Sequence, residues 1–375
     1  MKIYLDNAST SFPKAPGLGK AVGNFIENNG INIKRGTADG YEAGTVVSET
    51  RGLICRLFHC SVPERAIFTS GATASVNMLL RGLLKDGGHI VISSMEHHAV
   101  MRPLKLLEAE GVTYTAVQAD KEGNVKASDF EAAITPETKL IFVTHASNVC
   151  GTVLPAEEIG EIARKHGIYF ALDSAQSAGI LDIDAAKTDF FVFSGHKGLM
   201  GPQGTGGFIL SERLAEQLCP HFAGGTGSYS HSYNMPEQLP DRFEAGTLNI
   251  PGIAGLNHSL KYILNESIQK IRRQERERTE QLLEGLKNMP VRIIGRKDTK
   301  NRTGVVSFIA PYSDNGILAE RLSERGIALR YGLHCSPSAH ETLGTLRTGT
   351  IRLSVGYFIS ETDVDYALKA IYELV

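Results

Sequence analysis

The chain has 375 residues, 42% of them hydrophobic and 21% charged, with a formal net charge of -2. Such a composition belongs to a globular protein long enough for two or three domains with sizeable cores. The near-neutral balance argues against a nucleic-acid partner or a polybasic membrane surface, and no apolar run has membrane-spanning length. The start, MKIYLDNAST, has no apolar signal stretch, so a cytoplasmic protein is expected.

In chain order, the first informative region runs from about residue 65 to 210. Apolar runs RAIFTS, HIVISS, KLIFVTH, IYFALDS and FFVFSG alternate with amphipathic stretches such as LPAEEIGEIARKHG. Short strands that are apolar on both faces, set between helices, predict a mostly parallel sheet covered on both sides. Ligands of such sheets lie beyond the carboxyl ends of the strands. The segment GGTGSYSHSYNMPEQLP (224–240) is rich in turn formers and reads as either a mobile surface loop or a segment ordered by a partner. Beyond 258, SLKYILNESIQKIRRQERERTEQLLEGLKNM predicts one long helix whose charge run is a solvated face. The shorter strands VRIIG, GVVSFIA and TIRLSV then predict a smaller α+β domain.

The cysteines, Cys55, Cys60, Cys150, Cys219 and Cys335, follow no even spacing. Their odd number in a chain without a signal stretch predicts reduced thiols. Cys55 and His59 share a helix face beside Cys60, but no second ligand pair follows at zinc spacing, so no metal is expected.

The chemistry gathers at strand ends. FFVFSGHKGLMGPQGTGG (190–207) delivers Ser194, His196 and Lys197 from a strand that reads as fully buried. A loop lysine ordinarily points to water, and a lone Asp after a strand is ordinarily a turn residue. Here Asp173 and Gln176 end IYFALDSAQ, on what should be a neighbouring strand. Pyridoxal phosphate needs a lysine for its aldehyde and a carboxylate for its ring nitrogen, and this pair can flank one ring. AIFTSGATASVN turns into a helix at Ala72 and Thr73, where backbone N–H groups can cradle the phosphate. His97, in SSMEHHAV, can cover the ring, and Asn148, in THASN, can touch cofactor or substrate.

SGHK, the strand–D–x–A–Q segment, MEHH, THxSN, RFEAGT and RYGLHC occur in the order seen in cysteine desulfurases. Over essentially its whole length the chain resembles that family, part of the class V aminotransferase group of fold-type I pyridoxal phosphate enzymes. The resemblance implies a seven-stranded, mostly parallel large domain at 16–258. A smaller α+β domain would comprise 1–15 and 259–375. It implies that Lys197 carries the cofactor, Asp173 pairs with the ring nitrogen, and His97 stacks on the ring and shuttles protons. Gln176 would bond the phenolic oxygen, with Ala72, Thr73, Ser194 and His196 around the phosphate. Asn148, Arg330 and Arg352 would face the substrate, Arg352 clamping its carboxylate. Gly246 and Thr247 would reach the partner subunit's phosphate, which implies a homodimer.

GIALRYGLHCSPSAHETLGT places Cys335 in a polar turn, where Arg330 or His334 can favour a thiolate. Free cysteines are ordinarily buried and structural, but the flanks of this one are polar. The loop resembles the RxGxHC signature of group II desulfurases, and Cys335 would then take sulfur from L-cysteine as a persulfide for an acceptor protein. Cys150, two residues after Asn148, is the substitute thiol, although SNVCGT reads more simply as a turn. Three other readings compete. One is a selenocysteine lyase or cysteine sulfinate desulfinase with the same pocket, acting on L-selenocysteine or the sulfinate. Another is a class V aminotransferase with Cys335 a bystander. The last is a non-catalytic sulfur-carrier scaffold, which intact Lys197, Asp173 and Arg352 argue against.

Overall fold

The structure, a computed structural model, describes residues 2–33 and 38–375. The chain begins with β1 (Ile3–Tyr4), α1 (Leu18–Asn29) and α2 (Ala38–Phe58). The alternating region follows as β2 (Ala66–Thr69), α3 (Ala72–Leu83), β3 (Gly88–Ser93), α4 (His98–Leu107) and β4 (Val112–Val117). It continues through α5 (Ala127–Ala132), β5 (Thr138–Thr144), α6 (Ala156–Lys165) and β6 (Tyr169–Asp173). β7 (Phe190–Ser194), β8 (Gly206–Leu210) and α7 (Glu212–Gln217) complete it. These strands form one seven-stranded sheet in the order β2-β8-β7-β6-β5-β3-β4, with β8 antiparallel to both neighbours and the other pairs parallel.

The buried strands are explained by their two faces. Phe191 and Phe193 of β7 point into a core built with α2, α6 and their neighbours. Phe190 and Val192 point the other way, into a core with α3, α4 and α7. Burying a large apolar side chain contributes roughly 1.5–3 kcal/mol, so both helical layers are held by the same strands. The parallel strands then share one carboxyl edge, where their polar termini meet.

The expected single helix after 258 is two helices, α8 (Ile250–Glu266) and α9 (Ile268–Lys287). Ser267 breaks it at φ 71, and its side chain accepts from the amide of Lys270 to cap α9. Nor is the charged face wholly solvated: Glu275 is buried within the apolar stripe of Ile271, Leu282 and Leu286. The C-terminal region adds β9 (Arg292–Ile294), β10 (Val305–Ile309), α10 (Asn315–Glu324), β11 (Ile327–Ala328) and β12 (Arg330–Gly332). It ends with α11 (Pro337–Thr342), β13 (Thr350–Ser354) and α12 (Glu361–Tyr372). A four-stranded antiparallel sheet, β12-β13-β10-β9, carries its own core with α9, α10 and α12. β1 joins this unit by pairing with β11.

The reduced-thiol expectation fails at one place. Cys55 and Cys60 form a disulfide across the end of α2, where the chain turns back at His59 with φ 57. His59 Nε2 lies 2.9 Å from Asp182 Oδ1. Among the described residues no helix is long and apolar enough to cross a membrane.

Candidate active site

Five strands of one direction end in Thr69, Ser93, Thr144, Asp173 and Ser194. β6 and β7 pair in parallel with Asp173 opposite Val192, which brings the loop carrying Lys197 beside Asp173. A cleft of about 680 Å³ opens there, lined by Ala72, Thr73, His97, Asn148, Gln176, Ser194 and His196 together with Asp173 and Lys197. Nine residues expected from widely separated segments therefore share one cavity.

Its electrostatics ask for a particular guest. Burial pushes the Lys197 amine down to about 8, against a smaller opposing pull from Asp173. Burial also raises the Asp173 carboxyl above its ordinary range, outweighing the bond from the Ala175 amide and the charge of Lys197. A buried carboxylate in that state lacks a cation, which a protonated pyridine ring would supply. At the opposite end the amides of α3 begin at Gly71. A side chain at Gly206 would strike the Gly71 Cα at 2.6 Å, so the bare β8 backbone lies directly behind this turn. His196 adds a buried Nδ1 with no hydrogen-bond partner. The residues present thus fit pyridoxal phosphate: donors for its phosphate, a lysine for its aldehyde and a carboxylate for its nitrogen.

His97 caps α4, its Nδ1 accepting from the Ala99 amide at 3.0 Å, which leaves the proton on Nε2. Burial and the nearby Lys197 charge push its pKa down to about 3, so the ring is neutral. Gln176 donates from Nε2 to the Ala8 carbonyl at 2.9 Å. Thr247 and Gly246 are exposed and do not line the cavity of their own chain.

The cysteine loop is bolted to this cavity. The His98 amide donates to the Cys335 carbonyl at 2.8 Å, and Asn148 Nδ2 donates to the His334 carbonyl at 2.7 Å. Ser336 returns a bond to Asn148 Oδ1 at 2.7 Å. Consecutive residues His334 and Cys335 have φ 50 and φ 60, a left-handed conformation that costs energy for non-glycine residues. The loop thereby presents an exposed Cys335, with Arg330 Nη2 donating towards its sulfur at 3.5 Å. His334 takes no part in this. It is buried, bonded to Thr350 Oγ1, and burial drives its pKa down to about 2, so it brings no charge to the sulfur. Cys150, the substitute thiol, is buried, with its thiol on Thr152 Oγ1, and lies outside the cavity lining.

Several participants escaped sequence reading, among them the partners of Arg352. That expected arginine, 1% exposed, is held by Asp6 at 2.7 Å and Ser9 at 2.8 Å through Nη2, and by the Asn148 carbonyl through Nη1. Lys14 donates to the His196 carbonyl at 2.9 Å. Glu96 lies fully buried beneath the site, accepting from Ser93 and from the Thr144 amide, and burial raises its pKa to about 8. Their signal was present in YLDNASTSFPK and MEHH, but nothing in those letters tells which strand end each side chain meets.

Residues 3–367 match the family model for class-V aminotransferases. A probable cysteine desulfurase of Pyrococcus abyssi is 33% identical over 100% of this chain and 94% of its own. One of Methanothermobacter thermautotrophicus is 32% identical over 99% and 94%. Among solved structures, the apo cysteine desulfurase of Thermococcus onnurineus NA1 superposes with a TM-score of 0.93 at 32% identity, covering 100% of this chain and 94% of that one. The cysteine desulfurase CsdA of Escherichia coli, an S-sulfonic acid form, gives 0.88 at 25% identity, covering 100% and 95%. Fold and pocket together define a pyridoxal-phosphate enzyme of fold type I. The chain belongs to the class V aminotransferase family.

Proposed function

We propose that the protein is a cysteine desulfurase that converts L-cysteine to L-alanine and retains the sulfur on Cys335. The observation that carries this reading is the strained, exposed Cys335 fastened to the wall of the cofactor cavity beside Arg330.

Bound pyridoxal phosphate supplies an electron sink for the substrate Cα. Lys197 would hold the cofactor at its aldehyde, and its freed amine, which burial makes less basic than an ordinary lysine, would be the group to take the Cα proton. Asp173 would hold positive charge on the ring nitrogen, and the neutral His97 would lie against the ring. Arg352, pre-oriented by Asp6 and Ser9, receives the substrate carboxylate. The Cys335 thiolate attacks the substrate sulfur. An S–S bond forms, the Cβ–S bond breaks, and its electron pair stays on carbon, where Cβ takes up a proton. Sulfur is oxidised and carbon reduced within the same step, so no outside oxidant is required.

The persulfide at an exposed position suits transfer to an acceptor protein. The active unit is a homodimer in this reading, because the exposed Thr247 turn has no cavity of its own to complete. The working location is the cytoplasm, where a persulfide donor meets reduced acceptors. L-cysteine turnover, followed as alanine and sulfide, should fail in Cys335→Ala. Full turnover in that variant would overturn the reading in favour of a lyase or an aminotransferase.

A further inference from the structure

Helix α9 carries Arg272, Glu275, Arg276 and Thr279 at spacings i, i+3, i+4 and i+7. That spacing is one face of a helix, and in α9 its neighbours above and below are Ile268, Ile271, Leu282 and Leu286. The four polar residues interrupt the apolar stripe where it lines a cleft of about 830 Å³, closed opposite by residues 299–304.

The cleft has two unlike poles. On the outer side stand the exposed guanidinium groups of Arg272 and Arg276 and the exposed Lys300. Among the described residues none of these three has an acidic partner, although Arg276 Nε reaches Thr299 Oγ1 at 3.3 Å. On the inner side Glu275 is 5% exposed, and its Oε2 has no hydrogen-bond partner. Arg272 stands one turn from Glu275, yet they form no ion pair. Leaving a buried polar atom unpaired is unfavourable, more so for a charged group, so packing alone does not account for a glutamate here. Arg302, also buried at the edge of the cleft, spends its guanidinium on the Arg296 and Val305 carbonyls but leaves Nε unpartnered.

We propose that this cleft is a second ligand site that takes a free α-amino acid. Its carboxylate meets Arg272 and Arg276, and its ammonium meets Glu275. A plain anion satisfies the outer pole and leaves Glu275 unpaired. A plain amine satisfies Glu275 and faces three uncompensated cations. A zwitterion with both charges a few bonds apart answers both. Burial holds the empty Glu275 carboxyl up to about 8, so an arriving ammonium also draws it into its charged form. Ile180, Glu275, Thr303 and Gly304 form part of a second cavity too, whose lining includes Gln176 and Lys197. A ligand on Glu275 therefore bears on the wall behind the catalytic lysine. The site does not rest on the desulfurase reading.

The test is a titration of the holoenzyme with L-alanine, L-serine and L-glutamate in turn. Visible absorbance of the cofactor counts amino acid in the catalytic cavity, and calorimetry counts all that binds. At least one of the three should bind one equivalent per chain beyond what the absorbance reports. Glu275→Gln and Arg272→Ala should each weaken that extra binding by about tenfold or more while the absorbance midpoint stays put. Propionate and ethylamine, each with one pole, should fail to compete. No extra equivalent with any of the three amino acids would overturn the proposal, as would extra binding that survives both substitutions. Propionate binding as tightly as L-alanine would overturn it in favour of a simple anion site. Arg272 is exposed, so its variant keeps the test open should Glu275→Gln fold poorly.

Discussion

Arg330 Nη2, reaching from β12, lies 3.5 Å from the sulfur of Cys335, whose turn also anchors to the helix behind His97. A guanidinium at that distance can donate a hydrogen bond to the sulfur and draws anionic groups towards it. Arg330→Ala should slow alkylation of Cys335 by iodoacetamide several-fold and slow persulfide formation, with the cofactor spectrum unchanged. An alkylation rate equal to that of the parent would show that the contact has no chemical effect.

Cys335→Ala should retain cofactor and bind L-cysteine, because Lys197, Asp173 and Arg352 remain in place, but release no alanine. Mass spectrometry of the parent protein after L-cysteine should find one extra sulfur on the Cys335 peptide. Finding it on the Cys150 peptide instead would reverse the assignment.

Lys197→Ala should lose the borohydride-reducible link to pyridoxal phosphate. Asp173→Asn should keep that link while exchange of the substrate Cα hydrogen with solvent slows by about 100-fold or more, as the electron sink weakens. Exchange at the parental rate would remove Asp173 from its place at the ring nitrogen.

Glu275 gives a pH dependence of stability with a definite sign. Its folded pKa is raised from 4.5 to about 8, with burial as the cause. Between those values the folded state holds the proton and the unfolded state has lost it, so this group's contribution falls as pH rises. The fall is on the order of 1.4 kcal/mol per pH unit within that window and stops above it. Urea unfolding of apoprotein and of Glu275→Gln should therefore agree below the window, with the variant more stable above it. Parallel pH profiles would place water or another partner on the carboxylate.

The doubly wound sheet and the meeting of Asp173 with Lys197 were legible because parallel strands deliver their carboxyl ends to one edge. Local letters sufficed there. Arg352 was picked out only by the family resemblance, and its partner Asp6 lies far away in sequence, beside it through a bridge to Ser354 that no local pattern encodes. The break at Ser267 carries neither glycine nor proline, so the helical period runs through it unmarked. Glu275 hid in a run of charges because exposure of its neighbours says nothing about the one residue turned inward. His334 looked like a useful cation beside Cys335, and adjacency misled: the left-handed turn sends its ring into the interior.

The Cys55–Cys60 pairing also simplifies bench work on this protein. With those two sulfurs joined, three thiols remain, of which Cys150 is buried, Cys219 half-buried and Cys335 exposed. A brief pulse of alkylating reagent on the native, unreduced protein should therefore mark Cys335 first. One equivalent of label then counts competent molecules in a preparation, whatever its total mass of protein, and turnover numbers can be normalised to that count.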